Sequence, residues 1–279
     1  MQHFKYLISR RDYLRASLAL GVSVEVVKAV AQVEGNRTGF IKGTDRPKIL
    51  YEAHKFHRHT GGRHTGMPGA ETLSYAKWTK DNYKSGLGEY ERLEAAIALE
   101  DGQPHAALKS TSWGMFQILG ENFAAAGHGD VVTFVNWMAT GERFQLEAFV
   151  NFLISNDLHL ALRSQDWASF AREYNGQLYA QNKYDTKLQS AFRTEMRKAE
   201  ARQTGEELNL DRMDAANLQG ALNDALGLSL TPDGWIGARS ISAIKRFQTE
   251  HGLPVTGKVS RKLFEALGLD PSDYETEEQ

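Results

Sequence analysis

The sequence contains no cysteine. The chain therefore has no disulfide framework, no thiolate zinc site, no iron–sulfur cluster and no cysteine nucleophile. It also lacks any run of about 18 apolar residues, the length that a membrane-spanning helix requires. The basic residues Lys5, Arg10 and Arg11 stand where an export signal would be apolar. We expect a soluble protein without an export signal and without stable membrane insertion.

Neither sign of charge is in large excess. The net charge is −2, and the last ten residues alone contain five acidic and no basic residues. The rest of the chain is thus only slightly basic, whereas nucleic-acid-binding domains usually carry a strong basic stripe. We therefore expect no nucleic-acid partner, and we interpret the C-terminus as a solvated acidic tail.

The spacing of apolar residues predicts a mainly α N-terminal part. Ser23 is a predicted cap for a helix over residues 24–34. A long helical run is predicted over residues 141–163. Asp166 is the predicted cap of a further helix, which Gly176 ends.

Residues 40–75 are rich in glycine, which predicts loops. Long loops in a compact domain are often binding elements or lids. The short run that begins at Pro47, PKILYEAH, fits either a strand or the start of a helix, because periodicity cannot separate the two in so few residues.

The length of 279 residues suggests about two domains. A polar stretch between residues 192 and 218 indicates a linker, so we predict an N-terminal domain over residues 1–204. The remaining residues, 205–279, contain the linker, a bundle of three short helices at about 212–268 and the acidic tail. No titratable cluster stands out in the bundle, so we expect it to bind a partner without performing chemistry.

Glu34 is the most informative single residue. The apolar stripe of its predicted helix contains Val27, Val30 and Ala31, and the next position of that stripe is Glu34 itself. Burial and the negative end of the helix dipole both disfavour a charged carboxylate, so we predict a raised pKa. A carboxyl that is still protonated near neutral pH is what the general acid of a glycosidase needs. The alternative is a structural ion pair with Arg37, Arg46 or Lys48.

Glycoside hydrolysis also needs a second carboxylate or a positioned water. Asp45 and Glu52 lie in the glycine-flanked segment downstream of Glu34, and either can approach it if that segment folds back. We predict that one of them stabilises positive charge or activates water. For each of them, a salt bridge with a neighbouring basic residue is the competing interpretation.

Three ordered stretches lie between residues 25 and 195: VEGNRTGFIKGTDRPKILYEAHKFHRHTGG, STSWGMFQILGENFAAAG and DWASFAREYNGQLYAQNKYDTKLQSAF. They closely resemble the N-acetylmuramidase family of phage endolysins, a lysozyme-like family that cleaves the glycan strands of peptidoglycan. The middle stretch and the YNG are also similar to elements of goose-type lysozymes and lytic transglycosylases. The resemblance implies a lysozyme-like fold, an acid at Glu34, no cofactor and no metal. It also implies cleavage of the β-1,4 bond between N-acetylmuramic acid and N-acetylglucosamine.

The same resemblance implies a saccharide groove. The predicted substrate-binding residues are Ser112, Trp113, Gln117, Tyr174, Asn175 and His54. Sugar rings have apolar faces that stack on aromatic side chains and polar groups that need amide or hydroxyl partners, and this set supplies both. Core packing is the alternative for Trp113. We expect the ring of Tyr174 to be anchored in the core with only its hydroxyl available.

The second unit, ALNDALGLSLTPDGWIGARSISAIKRFQTEHGLPVTGKVSRKLFEAL, resembles the peptidoglycan-binding three-helix module of wall hydrolases. The matching pattern includes a Leu-x-x-x-Leu spacing, the DGxxG run over residues 233–237, and a Gly-Leu before a Thr-Gly turn. The resemblance implies wall contacts by Asp233, Gly234, Trp235 and Gln248. The order of the two domains differs from that of related lysins of phages that infect Gram-negative hosts. In those lysins this module commonly comes before the catalytic domain.

Three other functions stay open. A cluster of histidines together with Glu52 could hold zinc for an amidase or peptidase, although its spacing is not HExxH. The cluster comprises His54, His57, His59 and His64. A chain that binds the wall without catalysis is a second alternative, and a lytic transglycosylase that leaves 1,6-anhydro ends is a third.

As in similar endolysins, we expect a monomer that stays in the host cytoplasm until a holin or similar release protein gives it access to the wall. A secreted bacterial effector is the alternative origin.

Overall fold

The computed structural model describes residues 7–35, 38–79, 81–176, 180–203, 208 and 210–269. Within these ranges the chain is mainly α, as predicted. The helices are α1 (Arg10–Leu20), α2 (Val24–Glu34), α3 (Ala53–His59), α4 (Leu87–Leu99), α5 (His105–Lys109), α6 (Val131–Thr140), α7 (Glu142–Ser155), α8 (Leu158–Arg163), α9 (Trp167–Asn175), α10 (Tyr184–Gln203), α11 (Arg212–Leu226), α12 (Ala238–Glu250) and α13 (Arg261–Ala266).

The predicted helix caps are present. The Ser23 hydroxyl accepts a hydrogen bond from the backbone N–H of Val26 at the start of α2. The Asp166 carboxylate accepts one from Ser169 at 3.0 Å, which satisfies a free N–H group in the first turn of α9.

The prediction of one continuous helical run over residues 141–163 is wrong, because the structure divides the run into α7 and α8. Asp157 lies between the two with a φ of 57°, in the left-handed region. An aspartate tolerates this conformation as a single residue but cannot continue a right-handed helix through it.

In the described part of the chain, no single helix is long and apolar enough to cross a membrane. Helices α1 and α2 reach that length and composition only as a pair, and the pair is bent by 105° at the break between them.

A small antiparallel sheet contains β1 (Ile49–Tyr51), β2 (Thr111–Trp113) and β3 (Ile118–Leu119), in that spatial order. The run that begins at Pro47 therefore forms both predicted elements, first β1 and then α3. The register pairs Ile49 with Trp113 and Leu50 with Ser112. Since alternate residues of a strand point to opposite faces, the sheet has a core face and an open face.

The core face of the sheet carries Ile49, Tyr51, Trp113 and Ile118, all buried. The open face carries, among others, Leu50, Ser112 and Leu119. Lys48 and Glu52 flank β1 at the alternating spacing that continues the open face.

The glycine-rich segment before β1 folds back as a hairpin over residues 39–48. The backbone N–H of Ile41 donates to Arg46 O at 2.9 Å, and that of Lys48 donates to Gly39 O at 2.8 Å. The segment therefore returns the chain toward the end of α2, as the sequence allowed.

The described residues form two units, each with its own apolar core. The N-terminal unit, residues 7–203, has a core that extends from Ile8 to Leu188. The C-terminal unit, residues 208–269, packs α11, α12 and α13 around Leu218, Leu222 and Phe247, as predicted. The predicted boundary near residue 205 lies outside the described residues.

A buried ion pair joins the two units. Arg212, the first residue of α11, pairs with Glu142, the first residue of α7, and only 7% and 1% of their surfaces are exposed. The Arg212 guanidinium also donates to Asp233 O at 2.9 Å and lies 5.0 Å from the Trp235 ring. Nearby, the backbone N–H of Arg10 donates to the Asp211 carboxylate.

Candidate active site

Glu34 is the last residue of α2 and is half-buried. Burial raises its pKa to about 7. The Asn175 amide donates to Glu34 Oε1 at 3.1 Å, and this bond together with the positive charge of Lys187 limits the rise. The predicted direction of the pKa shift is confirmed. Both the protonated and the ionised form of Glu34 are therefore populated near neutral pH.

The alternative interpretation of Glu34 is a structural ion pair with a nearby basic residue. Arg46 pairs with Glu94 at 3.2 Å and packs over the ring of Tyr90, so it is engaged elsewhere. Arg37 lies outside the described residues.

The C-terminal end of α9 holds Asn175 beside Glu34. The preceding residue, Tyr174, packs its ring against Phe149 and Phe170 with centroid separations of 5.5 and 5.6 Å. Its hydroxyl donates to Phe116 O at 2.9 Å. The ring is anchored in the core as predicted, but the hydroxyl that was expected to be available is already engaged. Tyr174 therefore fixes the position of its neighbour Asn175.

Gln117 lies in the loop between β2 and β3 and is held in an unusual backbone conformation, with a φ of 49°. Its side-chain amide donates to Gly114 O at 2.8 Å, which closes the loop. The N–H of Gly114 donates to Lys48 O at 2.8 Å and so ties this loop to the start of β1. Gln117 is partly exposed beside the open face of the sheet.

Trp113 is where the prediction of a sugar-stacking ring fails. The register of β2 directs its indole into the core, where 2% of the residue is exposed and Nε1 donates to Leu108 O at 3.2 Å. The ring has no free face for a sugar. Its neighbour Ser112 points to the open face, although only 8% of it is exposed.

Glu52 and Asp45 lie in different surroundings. Glu52 follows β1, accepts a hydrogen bond from the Tyr83 hydroxyl and lies 3.4 Å from His54 Nδ1. Asp45 is exposed in the turn of the hairpin. The described residues show no hydrogen bond or ion pair from Glu34 to either carboxylate.

Comparison with known proteins places the chain in a family. Residues 23–195, more than half of the chain, match the family model described as N-acetylmuramidase. The crystal structure of an endolysin from Burkholderia AP3 phage is similar, with 40% identity and a TM-score of 0.61 over 68% of this chain and 70% of that chain. The chain belongs to the N-acetylmuramidase family of phage endolysins.

The muramidase is therefore a glycoside hydrolase that acts on peptidoglycan, and the alternative of a purely wall-binding protein is set aside. Residues 212–267 match the model of a putative peptidoglycan binding domain, in agreement with the resemblance of the C-terminal unit. The search among curated proteins gives no match.

Two of the four residues expected to contact the wall, Gly234 and Gln248, are buried and have internal roles. Gln248 is 2% exposed, and its amide binds Gly257 N and Lys258 O, so it braces the unit from inside. Asp233 accepts hydrogen bonds from Gln219 and from Trp235 N within its own turn.

The backbone of Gly234 lies close to the backbone of Arg212. A Cβ at this position would lie 2.2 Å from Arg212 O, and its φ is 74°. Trp235 is partly exposed and borders a cleft of about 460 Å³ between the two units. Of the four residues, the exposed Asp233 and the partly exposed Trp235 are thus the two that the structure leaves accessible.

Two buried polar residues of α7 also support the site, and neither was predicted from the sequence. The carboxylate of Glu142 accepts a hydrogen bond from Gly39 N at 2.9 Å, and the amide of Gln145 accepts one from Met115 N at 2.7 Å. They fix the hairpin after α2 and the loop that contains Gln117. Both occupy the apolar stripe of α7, so the criterion that singled out Glu34 also applied to them.

The histidines of the proposed zinc cluster have separate partners. His57 contacts Thr65, His59 contacts Glu121, and His64 contacts Glu100. His54 lies beside Glu52. Among the residues that the structure covers, no group of three or more histidine or carboxylate side chains is arranged to hold a metal ion.

Proposed function

We propose that the muramidase cleaves the β-1,4 bond between N-acetylmuramic acid and N-acetylglucosamine, with Glu34 as the general acid. The observation that carries this proposal is the half-buried Glu34 carboxyl, whose pKa is raised to about 7 and whose Oε1 accepts a hydrogen bond from Asn175. A carboxyl with a pKa near the working pH combines a substantial protonated fraction with a sufficient tendency to release the proton.

The reaction begins with transfer of the Glu34 proton to the bridging glycosidic oxygen while its bond to the anomeric carbon breaks. Positive charge develops on the sugar ring, and water then adds to the anomeric carbon and gives up a proton to a carboxylate of the site, either the ionised Glu34 or Glu52. The Glu34 carboxylate left after the first step is stabilised by the Asn175 amide and the Lys187 charge. Asn175 thus favours the product form of the acid.

Glu52 is the stronger of the two proposed second carboxylates. It continues the open face of the sheet and is partly shielded from solvent, whereas Asp45 lies exposed in the hairpin turn. In this role Glu52 stabilises the positive charge or orients the water. His54, Ser112 and Gln117 border the same face and are proposed to bind the saccharide there.

Product analysis tests the proposal directly. Digestion of soluble glycan strands is expected to yield reducing N-acetylmuramic acid ends, detected by mass spectrometry. A lytic transglycosylase would instead yield 1,6-anhydro ends that are lighter by one water. Anhydro products, or reducing N-acetylglucosamine ends, would contradict the proposed reaction.

The pH dependence provides a second test of the acid. Because Glu34 must be protonated, kcat/KM is expected to fall as the pH rises through about 7. The Asn175 hydrogen bond lowers the pKa of Glu34, so Asn175→Ala is expected to move this alkaline limb to higher pH as well as to reduce the rate. Initial rates on glycan strands across the neutral range measure the limb.

The matched control is Asn156→Ala, which removes another asparagine from the end of a helix, the C-cap that directly follows α7. Its alkaline limb is expected to coincide with that of the unaltered protein. An unshifted limb in Asn175→Ala would contradict the assigned role of that hydrogen bond.

The biological role proposed for the chain is that of an endolysin. It includes monomeric action, retention in the host cytoplasm and dependence on a holin or similar release protein. Peptidoglycan is its partner, and the C-terminal unit is proposed to keep the enzyme on the wall.

A further inference from the structure

Trp78 is an exposed aromatic residue with a fixed orientation. It leaves 61% of its surface in contact with solvent. Its indole Nε1 donates to the Tyr83 hydroxyl at 2.9 Å, so the polar edge of the ring is engaged while much of the apolar surface stays free. Burying such a ring would contribute substantially to binding, because aromatic side chains have a large apolar area.

A hydrogen-bonded chain connects Trp78 to the candidate active site. Tyr83 accepts from Trp78 and donates to the carboxylate of Glu52. Burial and the nearby Glu52 carboxylate raise the pKa of Tyr83, so the phenol keeps its proton and continues to donate. The indole is thereby fixed at the Glu52 end of the open face of the sheet.

The backbone of the segment that precedes Trp78 is hydrogen-bonded to the core. The Tyr51 hydroxyl donates to Leu73 O at 2.8 Å, and the Arg92 guanidinium donates to Thr72 O at 3.0 Å. Tyr51 and Arg92 are buried, so these anchors belong to the core. A preorganised ring loses little conformational entropy when it binds a ligand.

We propose that Trp78 is a stacking platform for a sugar ring of the glycan strand, a binding site that rests on the proposed function of the muramidase. A pyranose ring presents an apolar face of C–H groups, which an exposed indole can cover. The five residues from Lys48 to Glu52 are separated by four steps of extended chain, which span roughly 13 Å. The loop that contains Gln117 is tied to Lys48, whereas Trp78 is linked to Glu52, so the platform lies at the far end of the face.

A platform at this position contributes to strand binding and leaves the proton transfer unchanged. Trp78→Ala is therefore expected to raise KM for soluble peptidoglycan glycan strands about tenfold, equivalent to about 1.4 kcal/mol, with kcat within about twofold. Trp78→Phe, which keeps an aromatic face, is expected to retain most of the affinity. The control is Leu18→Ala, at an exposed apolar side chain of α1, which is expected to leave both constants unchanged.

Binding without turnover separates this proposal from the proposed reaction. Glycan strands are titrated into Glu34→Gln protein with and without Trp78→Ala, and binding is measured by calorimetry. A tenfold loss on Trp78→Ala supports the platform whether or not Glu34 is the acid, whereas turnover retained by Glu34→Gln would reject the acid alone. Equal affinity with and without Trp78 would overturn the platform, and a protein that binds no strand in either form would overturn both proposals.

Discussion

Replacing Glu34 with glutamine is expected to lower kcat/KM on glycan strands by about a thousandfold, because the amide cannot supply the proton that the leaving oxygen needs. The fold should be retained, since the side chain is only half-buried and its hydrogen-bond partner, Asn175, can pair with an amide oxygen. Purified protein is assayed for release of reducing ends, and its thermal unfolding is compared with that of the unaltered chain.

The matched control is Glu25→Gln, which changes another glutamate of α2. The two positions are nine residues apart, so they lie on opposite faces of the helix. The Glu25 variant should keep the full rate. Comparable rates for Glu34→Gln and the unaltered protein would remove Glu34 from the mechanism.

Replacing Arg212 with methionine is expected to lower the free energy of unfolding by about 3–5 kcal/mol, because the buried Glu142 loses its counter-charge. Burial already raises the pKa of Glu142 and Arg212 counteracts this effect, so the variant favours a protonated Glu142. The melting temperature of the N-terminal unit should fall by about 10 °C. Scanning calorimetry measures the change.

The double variant Arg212→Met with Glu142→Gln identifies the cause. If an unpaired buried charge produces the loss, neutralising Glu142 should recover a large part of it. Arg239→Met, at an exposed position of α12, is the control for loss of an arginine and should leave the melting temperature almost unchanged. An equally stable Arg212→Met would contradict the assigned role of the ion pair.

Local features of this chain follow from the sequence because they depend on neighbouring residues. The caps at Ser23 and Asp166, the three helices of the C-terminal unit and the position of Glu34 at the end of the apolar stripe of α2 all belong to this class. Each depends on helical spacing and on the side chains of one or two turns. The acid could thus be recognised before the groove around it was known.

Other features depend on pairing between distant segments. Trp113 is buried because β2 pairs with β1 in one register, and a shift by one residue would have placed it on the open face. Gln248 is buried because the Thr-Gly turn folds over it. The orientation of the Trp78 ring depends on its hydrogen bond to Tyr83, five residues further along the chain. Neither composition nor spacing therefore predicted an exposed, oriented indole at this position.

The ion pair between Arg212 and Glu142 also bears on how such enzymes are recombined. Lysins are natural candidates for module exchange, in which a foreign targeting segment replaces the original one. A graft without an arginine at the position of Arg212 would leave the buried Glu142 carboxyl, which accepts a hydrogen bond from Gly39 N, without its counter-charge. Successful chimeras of this catalytic unit therefore need either a basic residue at that junction or a neutral residue in place of Glu142.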